Sequence, residues 1–177
     1  FLDRHGIPAD FLEDPELFAT TAEDLATEKV IGWFSGRMEF GPRALGARSI
    51  IGDARSAKMQ KTMNLKIKFR ESFRPFAPSV LREKLADYFE IDTDTPYMLL
   101  TAQVRQERMR ALSEAEKHLT GLQLLNVPKS DIPAITHVDG SARIQSVHAE
   151  TNPRYHAMMQ AFEKKTGCGV IVNTSFN

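Results

Sequence analysis

Four cations and three phenylalanines share the eleven residues Lys66-Ile-Lys-Phe-Arg-Glu-Ser-Phe-Arg-Pro-Phe76. Cations fixed this closely hold oxyanions: lysine acts as a compact point charge, and arginine as a planar fork that meets phosphate or carboxylate through two parallel bonds. In an extended conformation Lys66, Lys68 and Arg70 share one face and Ile67 and Phe69 the other, which sets a row of cations over an apolar anchor. Three readings of the pattern stay open. It suits a phosphate-binding wall, a solvated basic face with a hydrophobic underside, or a nucleic-acid track on which Phe69, Phe73 and Phe76 stack bases. The neighbouring cations form no continuous stripe and no known nucleic-acid motif, which weighs against the third.

Upstream, Gly36, Gly41 and Gly46 recur at five-residue spacing. Gly36-Arg-Met-Glu-Phe-Gly41 and Gly41-Pro-Arg-Ala-Leu-Gly46 both satisfy the first half of a phosphate loop. They continue as Pro42-Arg43 and Ala47-Arg48-Ser49, so a backbone cradle is expected without the usual lysine. Arg37 and Glu39 are expected to pair with each other. No metal site is expected, because His118 and His148 sit in polar stretches and His5 and His156 lack ligand spacing. His137, beside Asp139, suits a loop hydrogen bond or a nucleotide contact. Cys168, between two glycines, reads as a small buried residue; a single cysteine cannot form an internal disulfide, and a reducing cytoplasm is the expected location.

The composition, 42% hydrophobic and 26% charged over 177 residues, is that of a globular protein and excludes disordered, collagen-like and coiled-coil classes. No apolar run approaches the roughly 20 residues of a membrane-spanning helix, and no signal peptide is expected. The net charge of zero conceals a segregation. Residues 1–29 hold eight acids against two cations, whereas residues 37–74 hold ten cations against three acids. An anionic partner is therefore expected for the middle of the chain.

These residues need a scaffold. Thr20-Thr-Ala-Glu23 reads as a capping box opening a short helix, followed by a buried strand over Val30–Phe34. Residues 35–46 read as a loop, Arg48–Ile51 as a short strand, and Ser56–Leu65 as a helix with Met59 and Met63 on one face. Pro75 and Pro78 predict an edge or irregular strand over Phe73–Val80. Leu81, Leu85, Tyr88 and Phe89 predict an amphipathic helix; residues 97–104 are β-like, 107–118 helix-prone, and Ala142–Val147 alternates as one strand. The clearest element is a helix from Pro153, with Asn152 as cap, Tyr155, Met158, Met159 and Phe162 on its apolar face and Gly167 at its end. A strand over Gly169–Asn173 follows. Interleaved helices and strands predict an α/β (α+β) domain with a mixed sheet. Trp33 and the Met158, Met159, Phe162 face are expected in the core.

Together Gly36–Ile50, Asn64–Leu81, Pro96-Tyr-Met98, Ala142–Val147 and Asn173-Thr-Ser-Phe-Asn177 closely resemble the C-terminal domain of the O-carbamoyltransferases that decorate nodulation factors, aminoglycosides and cephalosporins. The likeness spans nearly the whole chain from about residue 20. It implies a YrdC-like twisted mixed sheet with helices around a basic concave site. It also implies binding of carbamoyl phosphate and of ATP with magnesium, and formation of carbamoyl-adenylate with release of phosphate and pyrophosphate. The carbamoyl group then passes to a hydroxyl-bearing acceptor in an N-terminal transferase domain, where the family holds its iron. On this resemblance residues 1–29 are an acidic linker and short helix leading in from that domain, residues 30–177 are the YrdC-like domain, and a further segment is expected after Asn177.

The residues carried over by the resemblance as carbamoyl phosphate or nucleotide ligands are Arg43, Lys68, Arg74, Arg143, Asn173 and Ser175, with Lys66, Arg48 and Arg70 as second choices. No protein nucleophile is inferred, since carbamate itself can attack the α-phosphorus of ATP. Two other functions stay open: an RNA-binding YrdC-like module, and a non-catalytic domain that docks onto the transferase domain.

Overall fold

The computed structural model describes residues 1–125 and 127–176. Its strands are β1 (Ile31–Phe34), β2 (Arg48–Asp53), β3 (Ala77–Leu81), β4 (Thr101–Gln103), β5 (Ser141–Arg143), β6 (Gln145–Val147) and β7 (Val170–Ser175), and its α-helices are α1 (Asp14–Ala26), α2 (Met59–Thr62), α3 (Leu85–Tyr88), α4 (Glu114–Lys117), α5 (Gly121–Leu125) and α6 (Pro153–Thr166). Five strands form one mixed sheet in the order β1-β2-β7-β3-β6, antiparallel except for the β3/β6 pair, and β4 and β5 form a second, antiparallel sheet. Helices α1 and α6 pack on each other and onto the large sheet. Leu25, Ile51, Tyr155, Met158, Phe162 and Val172 join one buried core with Met59 and Met63 of the α2 region. The expected α+β class with a mixed sheet is what the chain forms, and Trp33 and the methionine face of α6 lie in its core. Among the described residues no helix is long and apolar enough to cross a membrane.

Several local expectations give way to stronger constraints. The first helix begins at Asp14 rather than Thr20, with Pro15 in its first turn and Asp14 and Glu16 at its N-terminal dipole. The supposed capping box is thus helix interior, and Ala22 and Leu25 are core residues. Strand β1 lies at the sheet edge with only Trp33 buried. Strand β3, despite Pro78, is interior and buried throughout. Leu81 N–H bonds the Gly169 carbonyl on the β7 side, so by alternation the Pro78 nitrogen faces β6, whose pairing starts only at Ser79. The missing donor therefore falls where the ladder has not begun.

Residues 142–147 split at Ile144 into β5 and β6, which belong to different sheets. The helix after Ser56 is one α-turn followed by a π-helical turn over Met63–Ile67, so Lys66 and Lys68 are not on an extended strand. The segment after Leu81 is a 3-10 turn leading into a single α-turn at α3, although all four of its apolar residues are buried. Residues 107–118 are helical mainly at α4, which Ser113 and Glu116 cap reciprocally.

Candidate functional site

The sheet ends at a cleft where β7 leaves, β3 enters and the glycine-rich loop crosses above. A pocket of about 180 Å³ lies there, lined by Arg43, Lys68, Arg70, Arg143, Asn173 and Ser175 among others. Its lining holds four cations and no carboxylate. None of the four forms an ion pair among the described residues, although eleven ion pairs of lysine or arginine lie elsewhere. Unpaired cations this close repel, so the arrangement stores a preference for an anion.

Each cation reaches the pocket by a different route. Lys68 follows the π turn, and its Nζ donates to the Ser175 carbonyl. Burial, then the nearby Arg70, push its pKa down. Arg70 is aimed by Asn64, whose Oδ1 accepts from Arg70 Nε at 2.6 Å, and its guanidinium lies 4.9 Å from the centre of the Phe76 ring. Asn64 is buried, and its Nδ2 donates to the Ser72 and Arg74 carbonyls, so one side chain shapes the whole turn. Arg143 comes from the small sheet at the end of β5; burial and then Arg43 lower its pKa, and its Nε is a buried donor without a partner among the described residues. Arg43 rides on the loop after Pro42.

That loop is held from within. Glu39 Oε1 accepts from the N–H groups of Leu45 at 2.7 Å, Ala47 at 2.8 Å and Arg48 at 3.2 Å, and Ser49 Oγ accepts from Gly46 N–H at 3.0 Å. Burial works against the ionised Glu39, but these amides outweigh it and hold its pKa below the usual range. The expected phosphate cradle is therefore filled by the chain's own carboxylate, and Glu39 braces the loop in place of pairing with Arg37.

Of the six residues singled out from the resemblance, Arg43, Lys68, Arg143, Asn173 and Ser175 line one pocket. Arg74 stands outside this lining, its Nε 2.8 Å from Glu71 Oε2, although it is near enough to Arg70 to add to the lowering of that residue's pKa by burial. Arg70, a second choice, lines the pocket; Arg48 and Lys66 do not. Phe76 is buried beneath Arg70, so of the three phenylalanines only Phe69 and Phe73 are exposed. His137 Nδ1 lies 3.4 Å from Ser141 Oγ, a hydrogen bond within its own loop. Asn177 lies outside the described residues.

Apart from Asn173, the polar side chains behind the pocket were not among the residues singled out above. Ser79, Gln145, Asn173 and the Tyr155 hydroxyl form one buried hydrogen-bonded cluster. Ser79 and Gln145 sit opposite each other in the β3/β6 register, and Asn173 lies diagonally across β7. A polar residue in an alternating strand ordinarily reads as solvent-facing, which hides this cluster from pattern analysis.

Known proteins are similar to this chain in sequence. The family described as Carbamoyltransferase C-terminus matches residues 22–177. An uncharacterized protein of Synechocystis sp. is 61% identical over 168 residues, which cover 95% of this chain and 27% of that protein. Nodulation protein NolO of Bradyrhizobium diazoefficiens is 41% identical over 171 residues, 95% of this chain and 28% of the relative. The 3'-hydroxymethylcephem-O-carbamoyltransferase of Streptomyces clavuligerus is 36% identical over 175 residues, 99% of this chain and 29% of the relative. The chain thus spans less than a third of the length of these curated relatives.

Proposed function

Because this chain belongs to the carbamoyltransferase C-terminus family, we propose that it activates the carbamoyl donor of an O-carbamoyltransferase. The observation that carries this reading is the pocket of four unpaired cations with no carboxylate in its walls. At about 180 Å³ the pocket is smaller than the roughly 300–1,000 Å³ of ordinary small-molecule sites. That size suits carbamoyl phosphate with its phosphate among Arg43, Lys68, Arg70 and Arg143, and leaves the nucleoside part of ATP to lie beyond the mouth.

The chemistry follows from the charges. Carbamoyl phosphate and ATP are both polyanions, and fixed cations offset their repulsion as charge builds on the leaving groups. Water cleaves carbamoyl phosphate to carbamate and phosphate. A carbamate oxygen then attacks the α-phosphorus of ATP, expelling pyrophosphate and leaving carbamoyl-adenylate. The acceptor hydroxyl, in the N-terminal transferase domain, attacks the carbamoyl carbon and releases AMP. Magnesium enters on the nucleotide phosphates; among the described residues no group of three or more His, Cys, Asp or Glu side chains offers a metal site. Carbamate is short-lived in water, so holding it in the pocket until it meets ATP has a protective role.

Calorimetric titration of the full-length protein with carbamoyl phosphate, with and without ATP and magnesium, tests the reading. Saturable binding of carbamoyl phosphate, and pyrophosphate release once ATP is added, are expected. Binding of a short RNA in place of carbamoyl phosphate, steeply weakened by salt, would transfer the pocket to a nucleic-acid function.

A further inference from the structure

Asn173 is locked in one orientation by groups that cannot exchange roles. The Leu45 carbonyl can only accept, and Gln145 Nε2 donates to it at 2.8 Å, so Gln145 turns its Oε1 toward Asn173. That oxygen, at 2.8 Å, and the Ala44 carbonyl, at 3.0 Å, are both acceptors, and Asn173 meets them with Nδ2. Ser79 Oγ lies 3.0 Å from the same Nδ2, whose two protons are shared among the three acceptors; it accepts from the Tyr155 hydroxyl at 3.0 Å and donates its own proton to Gln145 Oε1 at 2.6 Å. Turning the Asn173 amide over would press its oxygen against two others. The backbone at Ala44 and Leu45, acting through Gln145, therefore decides that Oδ1 is the atom left over. Asn173 is 1% exposed, and Oδ1 has no partner among the described residues.

A buried acceptor without a donor is costly unless something else supplies one. The same pocket holds the converse, the unpartnered donor Arg143 Nε. One orphan acceptor and one orphan donor, set among cations, complement a primary amide attached to an anion: its N–H group donates and its carbonyl accepts. We infer that Gln145 is a positioning residue which, by presenting Asn173 Oδ1, makes this site choose carbamoyl phosphate over the isosteric acetyl phosphate. This inference rests on the reading of the pocket as a carbamoyl phosphate site. Acetyl phosphate places a methyl group where the N–H group belongs and leaves Oδ1 unpaired, whereas the four cations treat the two phosphates alike.

The test titrates carbamoyl phosphate, acetyl phosphate and inorganic phosphate into the full-length protein and into Gln145→Leu and Ser79→Ala, with thermal unfolding to confirm that each variant folds. The native protein is expected to bind carbamoyl phosphate at least about tenfold more tightly than acetyl phosphate, the scale of one buried unsatisfied acceptor. Gln145→Leu removes one of the two fixed acceptors that orient the Asn173 amide, leaving the Ala44 carbonyl, and is expected to cut that ratio at least about threefold while inorganic phosphate binds as before; a merely damaged pocket would lose all three ligands. Should Gln145→Leu fail to fold, Ser79→Ala, which removes both an acceptor for Nδ2 and the donor that holds Gln145 Oε1, moves the ratio in the same direction. Equal affinity for the two acyl phosphates in the native protein overturns the inference and leaves the oxyanion reading standing. An unchanged ratio in the folded variants removes Gln145 from the role. Binding of none of the three anions overturns the carbamoyl phosphate reading, and the inference falls with it.

Discussion

Lys68 is a lysine among arginines, and so is the pocket cation whose charge can be removed by raising the pH. Burial and then Arg70 depress its pKa, whereas an arginine is not deprotonated in proteins. An anion needs the protonated lysine, so affinity is full below the depressed pKa and falls as pH rises through it, earlier than an ordinary lysine near 10.4 would dictate. Inorganic phosphate is expected to bind progressively more weakly as pH rises through the depressed pKa of Lys68, and Lys68→Arg to flatten the profile while keeping neutral-pH binding. A flat native profile would mean that Lys68 does not meet the anion. Arg74 poses a related question, because it stands outside the pocket lining and is paired with Glu71. Both partners are largely exposed and such pairs are weak, so the pair opens easily. Glu71→Gln is expected to raise phosphate affinity and Arg74→Ala to lower it; no change in either would keep Arg74 out of the site.

At the scale of elements, the glycine-rich loop is where fold and site meet. Gly46 has φ +99°, and a Cβ there would stand 2.3 Å from the ring of Tyr155. Tyr155 is fully buried and donates to Ser79, so the ring cannot withdraw cheaply. Gly46→Ala is expected to cost about 3 kcal/mol or more in urea unfolding, from overpacking and backbone strain together, and to weaken phosphate binding by displacing Arg43. A cost below about 1 kcal/mol would show that the ring yields. The elements legible in the sequence were those whose boundaries carry local chemistry: α6, with Pro153 at its start and Gly167 at φ +74° after its end, and the apolar strand that follows. Strand β3 was hidden because Pro78 is acceptable only through a pairing offset that no local pattern reveals. The cations announced an oxyanion by type alone. The convergence of Lys68, Arg143 and Asn173 from three separate elements was visible only through the family resemblance, and the clamp of Gln145 on Asn173 was visible only in three dimensions.

For the whole molecule, the segregation of charge along the chain becomes a segregation in space. The acidic N-terminal helix does not neutralise the basic middle of the chain. Asp14 pairs with Arg154, and Glu23 with Lys165, both on α6, while Asp24 pairs with Lys29 just beyond the end of α1. Those acids are thus engaged along α1 and α6, and the pocket at the sheet end keeps its four cations without counter-charge. A neutral protein then presents a positive potential at one cleft, which draws in anions and is screened by salt. Carbamoyl phosphate affinity is expected to fall severalfold as ionic strength rises from about 0.01 to 0.1 M, where the screening length shortens from about 30 to 10 Å. Arg143→Gln should weaken binding and flatten this dependence. The ratio of carbamoyl to acetyl phosphate affinity should not follow salt at all, because the Asn173 amide that sets it carries no charge. If the ratio does fall with salt, selectivity arises from the cations and not from the amide, and the division of labour between attraction by charge and choice by hydrogen bond would be wrong for this pocket.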